Sequence, residues 1–192
     1  MIAKQDVTHD NVVDFIIDLF NDMGNHSYLG EDISQEEHGL QCAVVADQFD
    51  SPDSLIAAAL LHDIGHFLHE LDEDCLEQGI DNNHEDVGAD FLRPFFPPEV
   101  TEPVRMHVGA KRYLCAVEPD YFSMLSPASV QSLEVQGGPM NGEEVKVFAA
   151  NPHLEDALKL RRFEEAGKNV GVKTPPVEHY RPLLQSLITV NN

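Results

Sequence analysis

Two histidines and an aspartate close an otherwise apolar run, LLHDIGH at residues 60–66. Imidazole nitrogen and carboxylate oxygen together suit iron, manganese or zinc. His62 and Asp63 are adjacent, so on an ideal helix their side chains diverge by about 100°. At a helix end, with Gly65 loosening the turn, both can face one cavity. A His-Asp pair alone is more often incidental. Its company strengthens the metal reading: His38 falls on an apolar helical face, His84 opens a helix after a polar loop, and His107 lies within VRMHVGA. Each of these alone reads as a satisfied core or surface histidine. Several helices bringing histidines to one centre build the kind of metal site that bundles hold in their cores.

The elements that must position these residues carry helical spacing. VVDFIIDLFNDMG (12–24) repeats apolar residues at intervals of three and four and ends on a glycine. SQEEHGLQCAVVADQF (34–49) opens with Ser34 and Glu37, a capping-box pattern. SPDSLIAAALLHDIGHFL (51–68) becomes almost wholly apolar, as a buried central helix would. HEDVGADFLRPFF (84–96) and PPEVTEPVRMHVGAKRYLCAV (97–117) form two more helices, divided by Pro97 and Pro98. HLEDALKLRRFEEAGKNV (153–170) resumes the helical period. LDEDCLEQGIDNN (71–83) and VQGGPMNGEE (135–144) read as loops. No strand alternation, repeat or low-complexity linker is evident, so the expected architecture is all-α, one domain over residues 1–192.

Composition narrows the function. With 34 Asp and Glu against 12 Lys and Arg, the formal charge is −22, which argues against nucleic acid and anionic membrane as partners. No stretch approaches the roughly 18 apolar residues of a membrane span, and the opening lacks a secretory layout, so the chain is expected to be soluble and cytoplasmic. Cys42, Cys75 and Cys115 have no CxxC spacing and read as small, half-buried hydrophobes. An anionic substrate would need a local basic pocket. Lys111 stands one turn after His107, Arg161 three residues before Glu164, and His66 four after His62. Surface solvation is the plain alternative for Lys111 and Arg161.

The ordered pattern H…HD…H…H…carboxylate resembles the HD-domain superfamily of helical metalloproteins, from about Tyr28 to Lys168. YLGEDISQEEHGLQCA, LLHDIGH, HEDVGADFL, HVGAKRYL, LEVQGGPM and LKLRRFEEAGK together resemble its small di-iron oxygenases that cleave carbon–phosphorus bonds. These are the 2-amino-1-hydroxyethylphosphonate and 1-hydroxy-2-trimethylammonioethylphosphonate dioxygenases, related to myo-inositol oxygenase. The resemblance implies a helical bundle around a mixed-valent Fe(II)/Fe(III) pair, with O2 as co-substrate. His38, His62, Asp63 and a late carboxylate would hold one iron; Asp63, His84 and His107 would hold the other, with Asp63 as the bridge. The second iron then keeps open positions for a chelating substrate and dioxygen. One departure stands out. The family reads W-D-[DE] in the late helix and this chain reads FEE, which puts the longer Glu164 at the ligand position, with Glu165 and Asp156 as substitutes and a solvated helix charge as the plain alternative.

The resemblance further implies that His66, Lys111 and Arg161 contact the phosphonate, that Ser126 and Ser129 approach it, that Tyr28 fills an open iron position until substrate displaces it, and that Glu31 addresses the amino end. Asp32 adds negative charge there. A primary ammonium would yield glycine and a trimethylammonium glycine betaine; the acidic loop and nearby Phe67 favour the N-methylated substrate. The expected metabolic neighbour is an oxygenase that installs the C1 hydroxyl. A metal-dependent phosphohydrolase would use the same ligands but needs a base-recognition surface that so acidic a chain disfavours. A non-catalytic HD domain would have degraded ligands, and an inositol-type oxygenase lacks the phosphonate-type motifs.

Overall fold

The computed structural model describes residues 3–28, 31–68 and 82–189. Leu29 and Gly30 of the YLGE motif, residues 71–81 of the acidic segment and Cys75 lie outside them. Eleven α-helices occur among the described residues, with short 3-10 turns at Lys4–Asp6 and Val177–Tyr180 and one isolated bridge between Ser27 and Ser34. The fold is all-α.

Helix α1 (Val12–Met23) buries seven apolar residues from Val12 to Phe20 on one face. Helix α2 (Gln35–Gln48) starts at a reciprocal capping box: the Ser34 hydroxyl accepts from the Glu37 amide and the Glu37 carboxylate accepts from the Ser34 amide. Helix α3 (Asp53–Leu61) runs through the core, with Leu55, Leu60 and Leu61 at most 1% exposed. Burial of this kind contributes about 1.5–3 kcal/mol per leucine. The helix stops at Leu61; His62, Asp63 and Ile64 form a turn, and α4 (Gly65–Leu68) follows. That interruption lets His62 and Asp63 share one cavity.

Helix α5 (His84–Leu92) follows Asn83, whose φ of 48° turns the chain into it, and ends before the expected PFF segment. It lies so close to α4 that a Cβ at Gly65 would fall 1.9 Å from the His84 carbonyl oxygen. Only glycine permits that approach. Helix α6 (Pro98–Val117) packs on α5, α3 and α10 (Leu154–Ala166), and α10 also packs on α2. Helices α2, α3, α5, α6 and α10 therefore surround the histidines.

The segment read as a loop over 135–144 is shorter in the structure. After α7 (Tyr121–Met124) and α8 (Pro127–Val135), only residues 136–141 connect to α9 (Gly142–Ala149). Gly137 and Gly138 take the positive φ values of 94° and 70° that their missing Cβ allows. Asn141 and Glu144 then form a second capping box, so NGEE starts a helix and does not prolong the loop. Helix α11 (Arg181–Ser186) closes against α1.

Candidate metal centre

Four buried histidines point their rings at one aspartate. His38 comes from the first turn of α2, His62 from the end of α3, His84 from the start of α5 and His107 from mid-α6. In each, Nδ1 meets an oxygen that can only accept: the carbonyls of Gly167 (2.9 Å), Ala59 (2.9 Å) and Val104 (2.7 Å) for His38, His62 and His107, and the Asn82 side-chain oxygen (3.0 Å) for His84. The neutral rings therefore carry hydrogen on Nδ1 and a lone pair on Nε2.

Those lone pairs converge in two pairs. Nε2 of His38 and His62 stand 3.2 Å apart, and Nε2 of His84 and His107 stand 3.0 Å apart. Two lone pairs at that distance repel unless a cation lies between them. Ligands each about 2.1 Å from a common ion and at right angles stand about 3 Å apart, so both pairs fit a metal. Asp63 divides its carboxylate between them: Oδ2 lies 3.1 Å from His62 and 3.8 Å from His38, while Oδ1 lies 3.2 Å from His84 and 3.5 Å from His107. Ligand atoms of Asp63, His84 and His107 cluster tightly enough to hold one ion; a second such cluster joins His38, His62 and Cys42.

Glu164, on α10, is 1% exposed and has one oxygen, Oε1, with no hydrogen-bond partner among the described residues. An orphaned carboxylate oxygen in the interior is costly unless a cation meets it. Burial alone would raise its carboxyl, but Arg161 first, then His107 and His62, hold it down at about 2. The negative charge also acts on His62: burial disfavours its charged form, yet Asp63 and Glu164 push the ring up to about 9, so the centre attracts a cation. His38, by contrast, falls to about 3 through burial and the neighbouring His62.

Buried basic residues stand beside this centre. Lys111, 3% exposed, donates to Ser132 Oγ at 2.7 Å, and its ammonium is pushed down to about 7 by burial and by Arg161. Neither it nor Arg161 is a solvated surface charge. Arg161 does not offer a free fork: it donates from Nε to Tyr121 (2.9 Å), from Nη1 to Glu164 and from Nη2 to Glu165. Tyr28 stacks on His38 with centroids 4.0 Å apart, and burial with the nearby Asp63 and Glu164 charges raises its hydroxyl well above the ordinary range. Ser126 donates to Glu31 at 2.5 Å, and Ser129 accepts from Lys168 at 2.8 Å. His66 stacks on His84 at 4.0 Å, and burial followed by His84 keeps its ring neutral.

Several expectations separate here. Asp32 is exposed beside Glu31 and does not join the buried cluster. Phe67 packs edge-on against Phe20 in the core, which withdraws it as a wall for the nitrogen end. Glu165 is paired with Arg161 and Asp156 stands near Lys159, whereas Glu164 is the fully buried one of the three and its charge acts on His62. Cys42 is fully buried, 3.7 Å from His38 Nδ1, and not the half-buried hydrophobe expected.

Three residues of the site fall outside the helical spacing of the sequence: Lys168, Ser132 and Asn82. Lys168 bridges Ser129 and Glu31, the latter at 3.7 Å, and lies 5.7 Å from the Tyr28 ring centroid. It falls beyond the end of α10 at Ala166, where helical periodicity no longer applies. An Asx residue two positions before a helix-opening histidine was the one available signal for Asn82.

A helical bundle that sets two imidazole pairs on the two oxygens of one carboxylate is a metal-binding domain of the HD class, and residues 37–137 match the family model described as HD domain. The chain is 44% identical over 97% of both chains to a [1-hydroxy-2-(trimethylamino)ethyl]phosphonate dioxygenase (glycine-betaine-forming) of Leisingera caerulea. It is also 44% identical to a hydroxymethylphosphonate dioxygenase of Gimesia maris, over 90% of this chain and 88% of that one. An uncharacterized protein of Acanthamoeba polyphaga mimivirus is 35% identical over 90% of this chain and 80% of its own. The chain belongs to the HD-domain family and, within it, to the phosphonate dioxygenases. No helix among the described residues is long and apolar enough to cross a membrane.

Proposed function

We propose that this chain is a di-iron oxygenase that uses O2 to cleave the carbon–phosphorus bond of 1-hydroxy-2-(trimethylammonio)ethylphosphonate, releasing phosphate and glycine betaine. The observation that carries this reading is the Asp63 carboxylate shared between two imidazole pairs, with a buried lysine alongside. His38, His62, Asp63 and Glu164 would hold one iron, and Asp63, His84 and His107 the other. When bound, the pair supplies electrons and open coordination positions for dioxygen and substrate.

The chain's own residues do the rest. Lys111 and Lys168, each anchored on a hydroxyl of α8, supply local positive charge for a phosphonate inside an otherwise repulsive protein. Arg161, already paired with two carboxylates, acts chiefly by holding Glu164. Tyr28 covers the His38 side, and its departure would admit substrate. Glu31, held by Ser126, faces the cationic end. Buried side chains on every helix around the centre exclude water while C1 is oxidised to a carboxylate and its bond to phosphorus breaks. The trimethylammonio substrate is favoured because the relative that acts on it matches along nearly the whole chain.

The deciding experiment is oxygen uptake with phosphate release by iron-loaded protein. It compares the trimethylammonio compound, its primary-amine analogue and hydroxymethylphosphonate, with one O2 expected per phosphate. A rate highest on either of the others reassigns the substrate; phosphate from nucleotides without oxygen uptake makes the protein a phosphohydrolase. Lys111→Met should raise KM roughly tenfold or more, the value of a charge-assisted hydrogen bond, with iron content unchanged. His84→Ala should lose one iron of two. Elemental analysis of both variants checks this, and a Lys111→Met protein without metal would refute the assignment.

A further inference from the structure

We infer that Asn82 is a positioning residue that imposes opposite tautomers on two stacked histidines, making His84 a metal ligand and His66 a hydrogen donor to a substrate oxygen. The identity of that oxygen rests on the proposed function; the tautomers do not.

The orientation of the Asn82 amide is set by a group with no ambiguity. Its Oδ1 lies 3.3 Å from the His84 backbone nitrogen and 3.0 Å from His84 Nδ1. A backbone N–H donates in every protonation state, so the oxygen of the side chain, and not its nitrogen, must face it. Nδ2 then faces His66, 3.2 Å from Nδ1. An amide nitrogen only donates, so His66 Nδ1 accepts and bears no hydrogen, which leaves the ring proton on Nε2. On His84 the same amide only accepts, so Nδ1 bears the hydrogen and Nε2 presents a lone pair, 3.2 Å from Asp63 Oδ1 and 3.0 Å from His107 Nε2.

His66 Nε2 is buried with no hydrogen-bond partner among the described residues. Asp63 Oδ1, 3.9 Å away, is beyond hydrogen-bond reach. A buried N–H left without an acceptor is unfavourable, and the ring stacks 4.0 Å from His84 with an 18° tilt. The pair thus offers a metal-directed lone pair and an N–H side by side, which suits an oxyanion held beside the ion.

The test is long-range proton–nitrogen NMR on the full chain labelled with nitrogen-15 histidine and loaded with zinc, a diamagnetic ion, with His66 assigned from His66→Gln. The expected native spectrum has His66 protonated on Nε2 and His84 on Nδ1. Asn82→Asp keeps the shape and the acceptor for His84 but removes the donor, so His66 should move its proton to Nδ1 while His84 is unchanged. Bound zinc should stay the same, and KM of the iron enzyme should rise roughly tenfold. His66 protonated on Nδ1 in the native protein, or a His66 tautomer unmoved by Asn82→Asp, would overturn the inference, as would a moved tautomer with unchanged KM. Expected tautomers in a protein that consumes no oxygen would sustain the role of Asn82 and reject the oxygenase instead.

Discussion

Asp63→Ala is expected to empty both metal positions and to lower oxygenase turnover at least about a thousandfold, roughly 4 kcal/mol of lost transition-state stabilisation. The reason is geometric. One carboxylate serves both imidazole pairs, Oδ2 toward His62 and His38 and Oδ1 toward His84 and His107. Without it, three-ligand binding at the His84 side falls to two, and the His38 side is left with two imidazoles and Glu164, which Arg161 already holds, and no shared anion. Asp63→Asn separates charge from shape: its single oxygen can serve one pair, so it should keep one metal at most. Plasma emission analysis with oxygen uptake measures both effects. Two equivalents of iron retained by Asp63→Ala would end the bridging assignment.

Arg161→Leu should cost the metal-free protein about 3–5 kcal/mol, because it strands a buried carboxylate. For a chain of this size that lowers Tm by about 10 °C. Arg161 is buried and binds Glu164, Glu165 and Tyr121 at once. If Glu164 is a ligand, metal gives its stranded charge a new partner, so the variant binds metal more tightly than the native protein does and the deficit narrows by that difference in binding free energy. The sign with pH follows. The folded carboxyl sits near 2 against an ordinary 4.5, so its contribution is complete above about 4.5 and fades as pH falls toward 2. Arg161→Leu should flatten that acid limb. Scanning calorimetry with and without metal checks the pair of claims, and an equal deficit in both would remove Glu164 from the metal centre.

Much of this architecture was legible in the chain. The Ser34/Glu37 box, the apolar stripe of α1 and the wholly apolar α3 are local patterns that local rules describe. The HD pair was legible because glycine follows it and permits a helix end. The second box, Asn141 with Glu144, was equally local but hidden by the Gly-Gly-Pro signal just before it. Lys168 escaped because it lies past a helix terminus, and the pairing of Arg161 escaped because, although Glu164 and Glu165 stand only three and four residues on, the burial that holds the three together is set by packing against distant segments such as that of Tyr121, 40 residues away.

By itself the sequence determined the ligand inventory, the helical class and the order in which histidines and carboxylates occur, since these depend on residue type and on a period of a few residues. Only the tertiary structure decided the state of each ring. The carbonyl that sets the His38 tautomer belongs to Gly167, 129 residues on, and the charges that hold Glu164 ionised come from three different elements. Hydrogen-bond direction and buried charge depend on which oxygens fall within 3 Å and on the exclusion of water, and both arise only when distant segments pack.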